Sequence, residues 1–195
     1  MDILINTEIL ISTLQNVISV IDKSYSKPIL SNFMIKTLEN EGGQGMVEFS
    51  ATDYELSIIE RIPAEITTSG SICINAKRVF DIAREFQAKE TRILSTEQLW
   101  VHISCGASEL RLPSVEVGLY PQPNIEELKQ NLKISTVDLA QCIDMTLFAS
   151  QTNEARRNLM GVALSITDEQ KTRWQATDGH RLAQVIQPVE EMNFG

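Results

Sequence analysis

The chain is poor in residues that build cross-linked or metal-dependent sites. Its three cysteines, Cys73, Cys105 and Cys142, are odd in number and widely spaced, which argues against a disulfide framework or a CxxC metal site and favours reduced thiols. Only two histidines, His102 and His180, are available as further ligands, so a zinc site would have few donors to draw on. We therefore expect neither a bound metal nor a cofactor.

Long apolar segments are also missing. No run of about 18 apolar residues occurs, so we expect no membrane-spanning helix and no membrane partner. The N-terminal segment starts with an acidic side chain after Met1 and has no basic region, unlike a signal peptide. Together with the reduced thiols, these features favour a cytoplasmic protein.

Positive charge is scarce in this sequence. Lys and Arg number 17 and Asp and Glu number 26, which gives a formal net charge of −9. Nucleic acid should repel such a chain on average, so any contact with DNA requires a local basic surface. The 195 residues, 43% of them hydrophobic and 22% charged, are otherwise typical of a folded protein with one large domain or two small ones.

Recognisable catalytic motifs are absent as well. The sequence contains no GxSxG nucleophile elbow and no GxxxxGK phosphate loop. Asp178 and His180 could assist a serine or cysteine nucleophile, but they lie two residues apart in a predicted turn, and Cys105 and Cys142 stand in no catalytic context. The sequence therefore predicts a protein that is not an enzyme.

Two segments that lie 129 residues apart share a pattern. Ile5-Asn6-Thr7-Glu8-Ile9-Leu10 resembles Ile134-Ser135-Thr136-Val137-Asp138-Leu139, and each segment ends a short strand, supplies an Asn or Ser cap and enters a run with helical spacing. The faces predicted to point inward consist of Ile9, Leu10, Leu14, Val17 and Ile18 in the first helix and of Leu139, Ala140, Ile143 and Leu147 in the second.

A strand, a turn and an alternating strand follow each of these helices. The alternating strands end in the same letters, Ala51-Thr52-Asp53 and Ala176-Thr177-Asp178, which lie 125 residues apart. This order at a nearly fixed offset predicts an internal duplication, with a loop that is four residues shorter in the second copy.

The first copy continues beyond the match. A strand at 72–74, a helix at 77–86 and strands near 91–95, 99–103 and 109–112 follow, and Pro113, Pro121 and Pro123 are expected to end regular structure. The inward face of that helix is predicted to hold Val79, Phe80, Ala83 and Phe86. We predict an α+β unit of two helices on a mainly antiparallel sheet over residues 1–125, a linker at 126–131 and a second unit at 132–195.

The second unit is predicted to be incomplete. It contains the first helix and the first strands of the repeat but no counterpart of the second helix. About half of a repeat is therefore expected to be missing, which would leave an unpaired sheet edge and an uncovered apolar face.

Three segments together resemble one protein family. They are Lys27-Pro28-Ile29-Leu30-Ser31-Asn32, Ala51-Thr52-Asp53-Tyr54-Glu55-Leu56 and, most specifically, Ala176-Thr177-Asp178-Gly179-His180-Arg181-Leu182. Such segments are similar to those of the bacterial sliding clamp family, the beta subunit of DNA polymerase III. The resemblance covers the whole chain and implies DNA-clamp repeats, of which a family subunit has three, with two subunits forming a homodimeric ring. This chain would be an N-terminal portion that cannot close the ring alone.

The function that the resemblance implies is mechanical. A ring around double-stranded DNA cannot dissociate sideways, so it holds its partners at a high effective concentration without reading the base sequence. The implied partners are the polymerase III alpha subunit, the clamp loader and other proteins with a clamp-binding motif. The implied DNA-binding residues are Lys23, Ser24, Lys27, Lys77, Arg84, Gln151, Arg157 and Asn158. Taken singly, each of them fits an ordinary solvated surface better, and only as a set do they indicate a less acidic surface that could face DNA.

The resemblance also implies a pocket for short linear peptides, of which this chain would hold one half. Its implied residues are Arg156, Leu159, Thr177, Gly179, His180, Arg181 and Leu182. The leucines would form apolar walls, the glycine would keep the backbone accessible, and the basic side chains would donate to carbonyl or acidic groups. Peptide binding by this half alone is expected to be weak.

Two alternatives remain open at this point. Without the family match, Asp178-Gly179 is only a hairpin turn and the leucines belong to the core. The whole chain is also compatible with a non-catalytic interaction domain that binds peptides but not DNA.

In the first copy, the Thr52-Asp53 turn is expected to be structural, with Asp53 accepting hydrogen bonds from backbone amides.

Overall fold

The computed structural model describes residues 1–21, 27–38, 45–96, 99–122, 132–167, 169, 171–188 and 191–192. The chain divides into two compact units, Met1–Asn124 and Ile125–Gly195. The predicted linker at 126–131 lies outside the described residues. No helix in the described ranges is both long and apolar enough to cross a bilayer.

The described part of the first unit forms one antiparallel sheet with two α-helices. Its elements are β1 (Asp2–Asn6), α1 (Thr7–Ile18), β2 (Asn32–Leu38), β3 (Met46–Thr52), β4 (Ser57–Pro63), β5 (Glu65–Thr68), β6 (Ser71–Asn75), α2 (Ala76–Ala83), β7 (Glu90–Ser95), β8 (Trp100–Cys105) and β9 (Ser108–Val115). The strand order is β4-β3-β2-β6-β9-β8-β7-β1-β5. The predicted α+β class is confirmed. Strands β4 and β5 were not predicted, and α2 ends at Ala83 rather than at the predicted residue 86.

Side-chain caps start both helices of this unit. The side-chain oxygen of Asn6 accepts hydrogen bonds from the amides of Glu8 and Ile9 at 3.0 and 3.2 Å, and that of Asn75 accepts one from the Arg78 amide at 3.0 Å. These bonds satisfy amides that have no partner within the helix.

The helices bury one stripe each in the core of the first unit. The buried apolar residues of these stripes are Leu10, Leu14 and Val17 of α1 and Ala76, Val79 and Ala83 of α2. Ile18, Phe80 and Phe86, also predicted to point inward, are partly buried and pack against the same core. The prediction is wrong only at Ile9, which is 37% exposed.

Pro113 does not end regular structure as predicted. It lies inside β9 opposite Trp100 of β8, and the next residues, Ser114 and Val115, pair with β6 instead. Pro113 thus lies where β9 changes its pairing partner from β8 to β6. A residue without an amide hydrogen is tolerated at such an irregular point of a strand.

The second unit contains one helix and two small sheets in its described part. Its elements are β10 (Leu132–Lys133), α3 (Thr136–Leu147), β11 (Ala163–Ile166), β12 (Lys171–Thr177), β13 (Leu182–Pro188) and β14 (Glu191–Met192). The antiparallel sheets are β11-β12-β13 and β10-β14. The hydroxyl of Ser135 caps α3 by accepting from the Asp138 amide at 3.1 Å, and α3 packs on β12 and β13.

The two units repeat the same strand register. Helix α3 follows α1 by 129 residues at both ends. The pair Met34–Ser50 of β2 and β3 corresponds to Ala163–Gln175 of β11 and β12. The pair Thr52–Ser57 of β3 and β4 corresponds to Thr177–Leu182. These offsets of 129 residues before the turn and 125 after it are those of the sequence motifs, so the predicted duplication is confirmed in the strand register.

The predicted inward face of α3 is wrong at two positions. Ala140 is exposed, and Leu147 is 46% exposed, whereas Leu139 and Ile143 are partly buried. The equivalent face of α1 packs against α2, but the described part of the second unit offers α3 no second helix. These side chains are therefore accessible because the covering element of the first repeat has no counterpart there.

Candidate functional site

The turn between β12 and β13 is held by its own side chains. Thr177 Oγ1 accepts from the Gly179 amide at 3.0 Å and donates to the Arg181 carbonyl at 2.6 Å. Asp178 Oδ1 accepts from the amides of His180 and Arg181 at 2.9 and 3.0 Å. Gly179 has a φ of +92°, a conformation that glycine adopts without steric strain. The turn thus presents residues 179–182 in a fixed arrangement.

The charge of Asp178 is stabilised by this turn. Hydrogen bonds from the His180 amide and then the Arg181 amide lower the pKa of its carboxyl group. Its second oxygen accepts from Arg181 Nε at 2.9 Å. The Arg181 side chain is therefore oriented by an ion pair while 58% of it stays exposed.

A short 3₁₀ segment, Glu154–Leu159, brings Arg156 to the same turn. Asn153 caps this segment by accepting from the Ala155 amide at 2.9 Å, and Arg156 interrupts it with non-helical φ and ψ of −123° and 56°. A Cβ atom placed on Gly179 would lie 3.2 Å from Arg156 Nη1. The guanidinium group therefore lies directly beside the side-chain-free position of the turn.

The exposure of the leucines distinguishes a peptide-binding face from the simpler interpretation, a hairpin turn whose leucines belong to the core. Leu182 is 63% exposed and Leu159 is partly buried, so Leu182 is not an ordinary core residue. Asp178-Gly179 does join two hairpin strands, as the simpler interpretation predicts. All seven predicted peptide-binding residues lie in the two segments Glu154–Leu159 and 177–182 of the second unit.

The first unit carries the same turn 125 residues earlier. Thr52 Oγ1 accepts from the Tyr54 amide at 3.0 Å and donates to the Leu56 carbonyl at 2.9 Å. Asp53 Oδ1 accepts from the amides of Glu55 and Leu56 at 2.9 and 2.6 Å. The predicted structural role of Asp53 is thus confirmed. Tyr54 takes the position of Gly179 and has a φ of +77°.

Three predicted DNA-binding residues of the first unit, Lys27, Lys77 and Arg84, are described and exposed. Lys77 and Arg84 lie seven positions apart at the two ends of α2, and Arg84 Nε is 3.6 Å from the Glu85 carboxylate. Arg78, which was not predicted as a DNA-binding residue, lies beside Lys77 and is also exposed on α2. Lys27 places its Nζ 4.3 Å from the centre of the Tyr54 ring. Lys23 and Ser24 lie outside the described residues.

The predicted DNA-binding residues of the second unit lie in one loop region. Arg157 and Asn158 are exposed in the segment Glu154–Leu159. Gln151 is partly buried, and its Oε1 accepts from the amides of Thr152 and Asn153 at 2.9 and 3.1 Å. Gln151 therefore shapes the loop that carries the two exposed residues.

Metal chemistry receives no support from the residue geometry. Among the residues described here, no group of three or more His, Cys, Asp or Glu side chains could hold a metal ion. Burial raises the pKa of the Cys73 thiol to about 12, so this cysteine stays protonated and unreactive.

Comparisons with known proteins agree along the whole chain. Residues 1–126 match the family model of the DNA polymerase III beta subunit, N-terminal domain, and residues 133–194 match that of its central domain. A beta sliding clamp of Caulobacter vibrioides is 32% identical over an alignment of 200 residues, which covers 100% of this chain and 52% of the relative. One from Staphylococcus epidermidis is 30% identical over 191 residues, 94% of this chain and 49% of the relative.

Solved structures give the same result. The beta subunit from the DNA polymerase of Streptococcus pyogenes is 26% identical, with a TM-score of 0.89 over 100% of this chain and 52% of the other. The chain spans about half the length of the curated relatives that it matches.

Proposed function

The chain belongs to the family of DNA polymerase III beta subunits, and on this premise we propose that it forms part of a sliding clamp, a ring that encircles double-stranded DNA. The observation that carries the proposal is the match of two successive clamp domains along the chain, supported by the repeated register of β2-β3-β4 and β11-β12-β13. The ring is a homodimer when the subunit has its full set of repeats. Its function is not catalytic.

The proposed mechanism is topological confinement. A closed ring keeps a bound polymerase near the primer end because the tether raises the effective concentration of the enzyme at its template. Contacts to phosphates, rather than to base edges, allow the ring to slide. We assign these contacts to Lys23, Ser24, Lys27, Lys77, Arg84, Gln151, Arg157 and Asn158.

We assign the peptide-binding role to the face formed by Arg156, Leu159, Thr177, Gly179, His180, Arg181 and Leu182. The exposed Leu182 offers apolar surface, and the oriented Arg181 and the adjacent Arg156 offer hydrogen-bond donors. This combination suits short segments that join leucine or phenylalanine anchors to acidic groups. The partners are the polymerase alpha subunit, the clamp loader and other proteins with a clamp-binding motif.

We further propose that residues 1–125 are the N-terminal clamp domain, that 126–131 link the domains, and that 132–195 belong to the central domain. The matched ranges 1–126 and 133–194 support this division. The protein acts in the cytoplasm, where bacterial DNA is replicated.

The experiment that tests the clamp is retention on DNA of defined topology. The protein at its natural length is loaded by its clamp loader onto nicked circular DNA and passed over a gel-filtration column. We expect it to co-elute with the circle and to be lost after the circle is linearised, because a ring slides off free ends. Equal retention on both forms would contradict encirclement. Peptide binding without retention on either form would favour the alternative, an interaction domain that does not bind DNA.

A further inference from the structure

The two repeats place a cation beside the same position of the same turn. Lys27 and Arg156 lie 129 residues apart, and Tyr54 and Gly179 lie 125 residues apart, so both pairs obey the offsets of the duplication. In the first unit, Lys27 Nζ is 4.3 Å from the centre of the Tyr54 ring. In the second unit, a Cβ atom at Gly179 would be 3.2 Å from Arg156 Nη1. Both repeats thus have a basic side chain beside the residue at this position of the turn.

The two contacts differ in what covers the cation. The tyrosine ring of the first repeat lies on the lysine as a cation–π pair. The glycine of the second repeat has no side chain, so the residue at this turn position leaves the guanidinium of Arg156 uncovered.

The backbone conformation of the turn does not explain why a tyrosine occupies position 54. Tyr54 has a φ of +77°, which favours glycine and is unusual for a bulky residue. The neighbouring Thr and Asp side chains hold the turn by the same hydrogen bonds in both repeats. A residue kept in an unfavourable conformation requires another cause, and here the contact of its ring with Lys27 supplies one.

We propose that Tyr54 is a built-in occupant of the first repeat's counterpart of the peptide-binding face, and that the missing side chain at Gly179 leaves Arg156 accessible to a peptide. The residue at this turn position thereby determines which repeat binds peptides. The role of Gly179 in leaving Arg156 accessible to a peptide rests on the proposed peptide-binding function, whereas the covering of Lys27 by Tyr54 does not depend on it.

The first experiment transfers the tyrosine to the second repeat. The protein at its natural length, as wild type and as Gly179→Tyr and Gly179→Asn, is titrated against a fluorescein-labelled peptide that ends in Asp-Leu-Phe, with anisotropy as the readout. Asparagine accepts a positive φ but is short. We expect the tyrosine to weaken binding at least about tenfold more than the asparagine does, because it occupies the face that the peptide needs.

Equal losses in the two variants would overturn the proposal, because the requirement would then lie in the glycine backbone. Retained binding in Gly179→Tyr would also overturn it and leave the proposed function intact. No binding by the wild type would contradict the peptide-binding function itself. Unchanged emission from the buried Trp174 establishes that the variants fold.

The second experiment measures the covering of Lys27 directly and needs no peptide partner. Lys27 is acylated by a water-soluble N-hydroxysuccinimide ester in the wild type, Tyr54→Phe and Tyr54→Asn, and mass spectrometry gives the rate at this residue. We expect about threefold faster labelling in Tyr54→Asn and an unchanged rate in Tyr54→Phe, which keeps the ring. Equal rates in all three proteins would overturn the proposal even if the peptide experiment succeeded.

Discussion

In the two Thr-Asp turns, the Thr and Asp residues have a structural role, whereas the residue that follows them differs between the repeats. Thr52 and Asp53 bind the backbone of one turn as Thr177 and Asp178 bind that of the other, so these two letters serve the fold in both repeats. The left-handed conformation of Tyr54 costs about 1–2 kcal/mol relative to glycine. The shared hydrogen bonds therefore maintain a backbone geometry that the residue itself disfavours, and the side chain at this position is free to differ between repeats.

The carboxyl group of Asp178 should titrate below its ordinary value of 3.8, because the amides of His180 and Arg181 stabilise its charged form. A carboxyl whose pKa is lowered by folding adds stability above the unfolded value, and this stability is lost as the pH falls through the lowered pKa. Carbon-13 NMR of the carboxyl group measures the pKa directly. Arg181→Ala should raise it only partly, since both amide donors remain. A wild-type pKa at or above 3.8 would contradict the assigned hydrogen bonds.

Whole elements followed from the sequence where the pattern is local. The caps at Asn6 and Ser135 and the start of α1 depend on neighbouring residues, and the structure contains them as expected. Strands β4 and β13 were missed because adjacent apolar residues, such as Ile58 and Ile59, break the alternation that indicates a strand. The exposed face of α3 could not be predicted either, since burial depends on which element covers the helix.

The contrast between α1 and α3 predicts unequal costs of truncation. Leu14 of α1 is fully buried, whereas Ile143, at the equivalent position of α3, is only partly buried. We expect Leu14→Ala to reduce the free energy of unfolding by about 2–5 kcal/mol and Ile143→Ala by clearly less, because a partly exposed side chain loses less burial and leaves no closed cavity. Urea denaturation followed by tryptophan emission measures both when the tryptophan of the other unit, Trp100 or Trp174, is replaced by phenylalanine, so that the signal reports on one unit. An equal or larger loss for Ile143→Ala would contradict the described burial.

The charge of the whole molecule opposes its proposed ligand. With a formal net charge of −9, the protein can approach DNA only through a restricted surface. Exposed Lys77 and Arg78 on α2 and Arg84 at its C-cap give this segment a small excess of positive charge over Asp81 and Glu85. Such a distribution suits a ring that holds DNA loosely, because few phosphate contacts keep the resistance to sliding low.

Neutralising Lys23, Lys27, Arg84 and Arg157 to glutamine should weaken the retention of the natural-length protein on nicked circular DNA. The dependence of retention on salt concentration should also decrease, by up to about one unit of logarithmic slope for each lost phosphate contact. The matched control replaces Lys36, Arg61, Arg111 and Lys171, which lie on strands, and changes the net charge equally. Unchanged retention and slope in the first variant, or the same decrease in both, would refute the assigned DNA-binding residues.

The common register of the two repeats makes their hairpins geometrically interchangeable. Residues 171–188 could replace 46–63 with every cross-strand partner preserved, since both segments have the same length and the same pairing. Such a chimera would install the glycine-containing turn beside Lys27. The hairpin that carries the proposed peptide-binding turn could thus be moved from the second repeat to the first without redesigning the sheet that supports it.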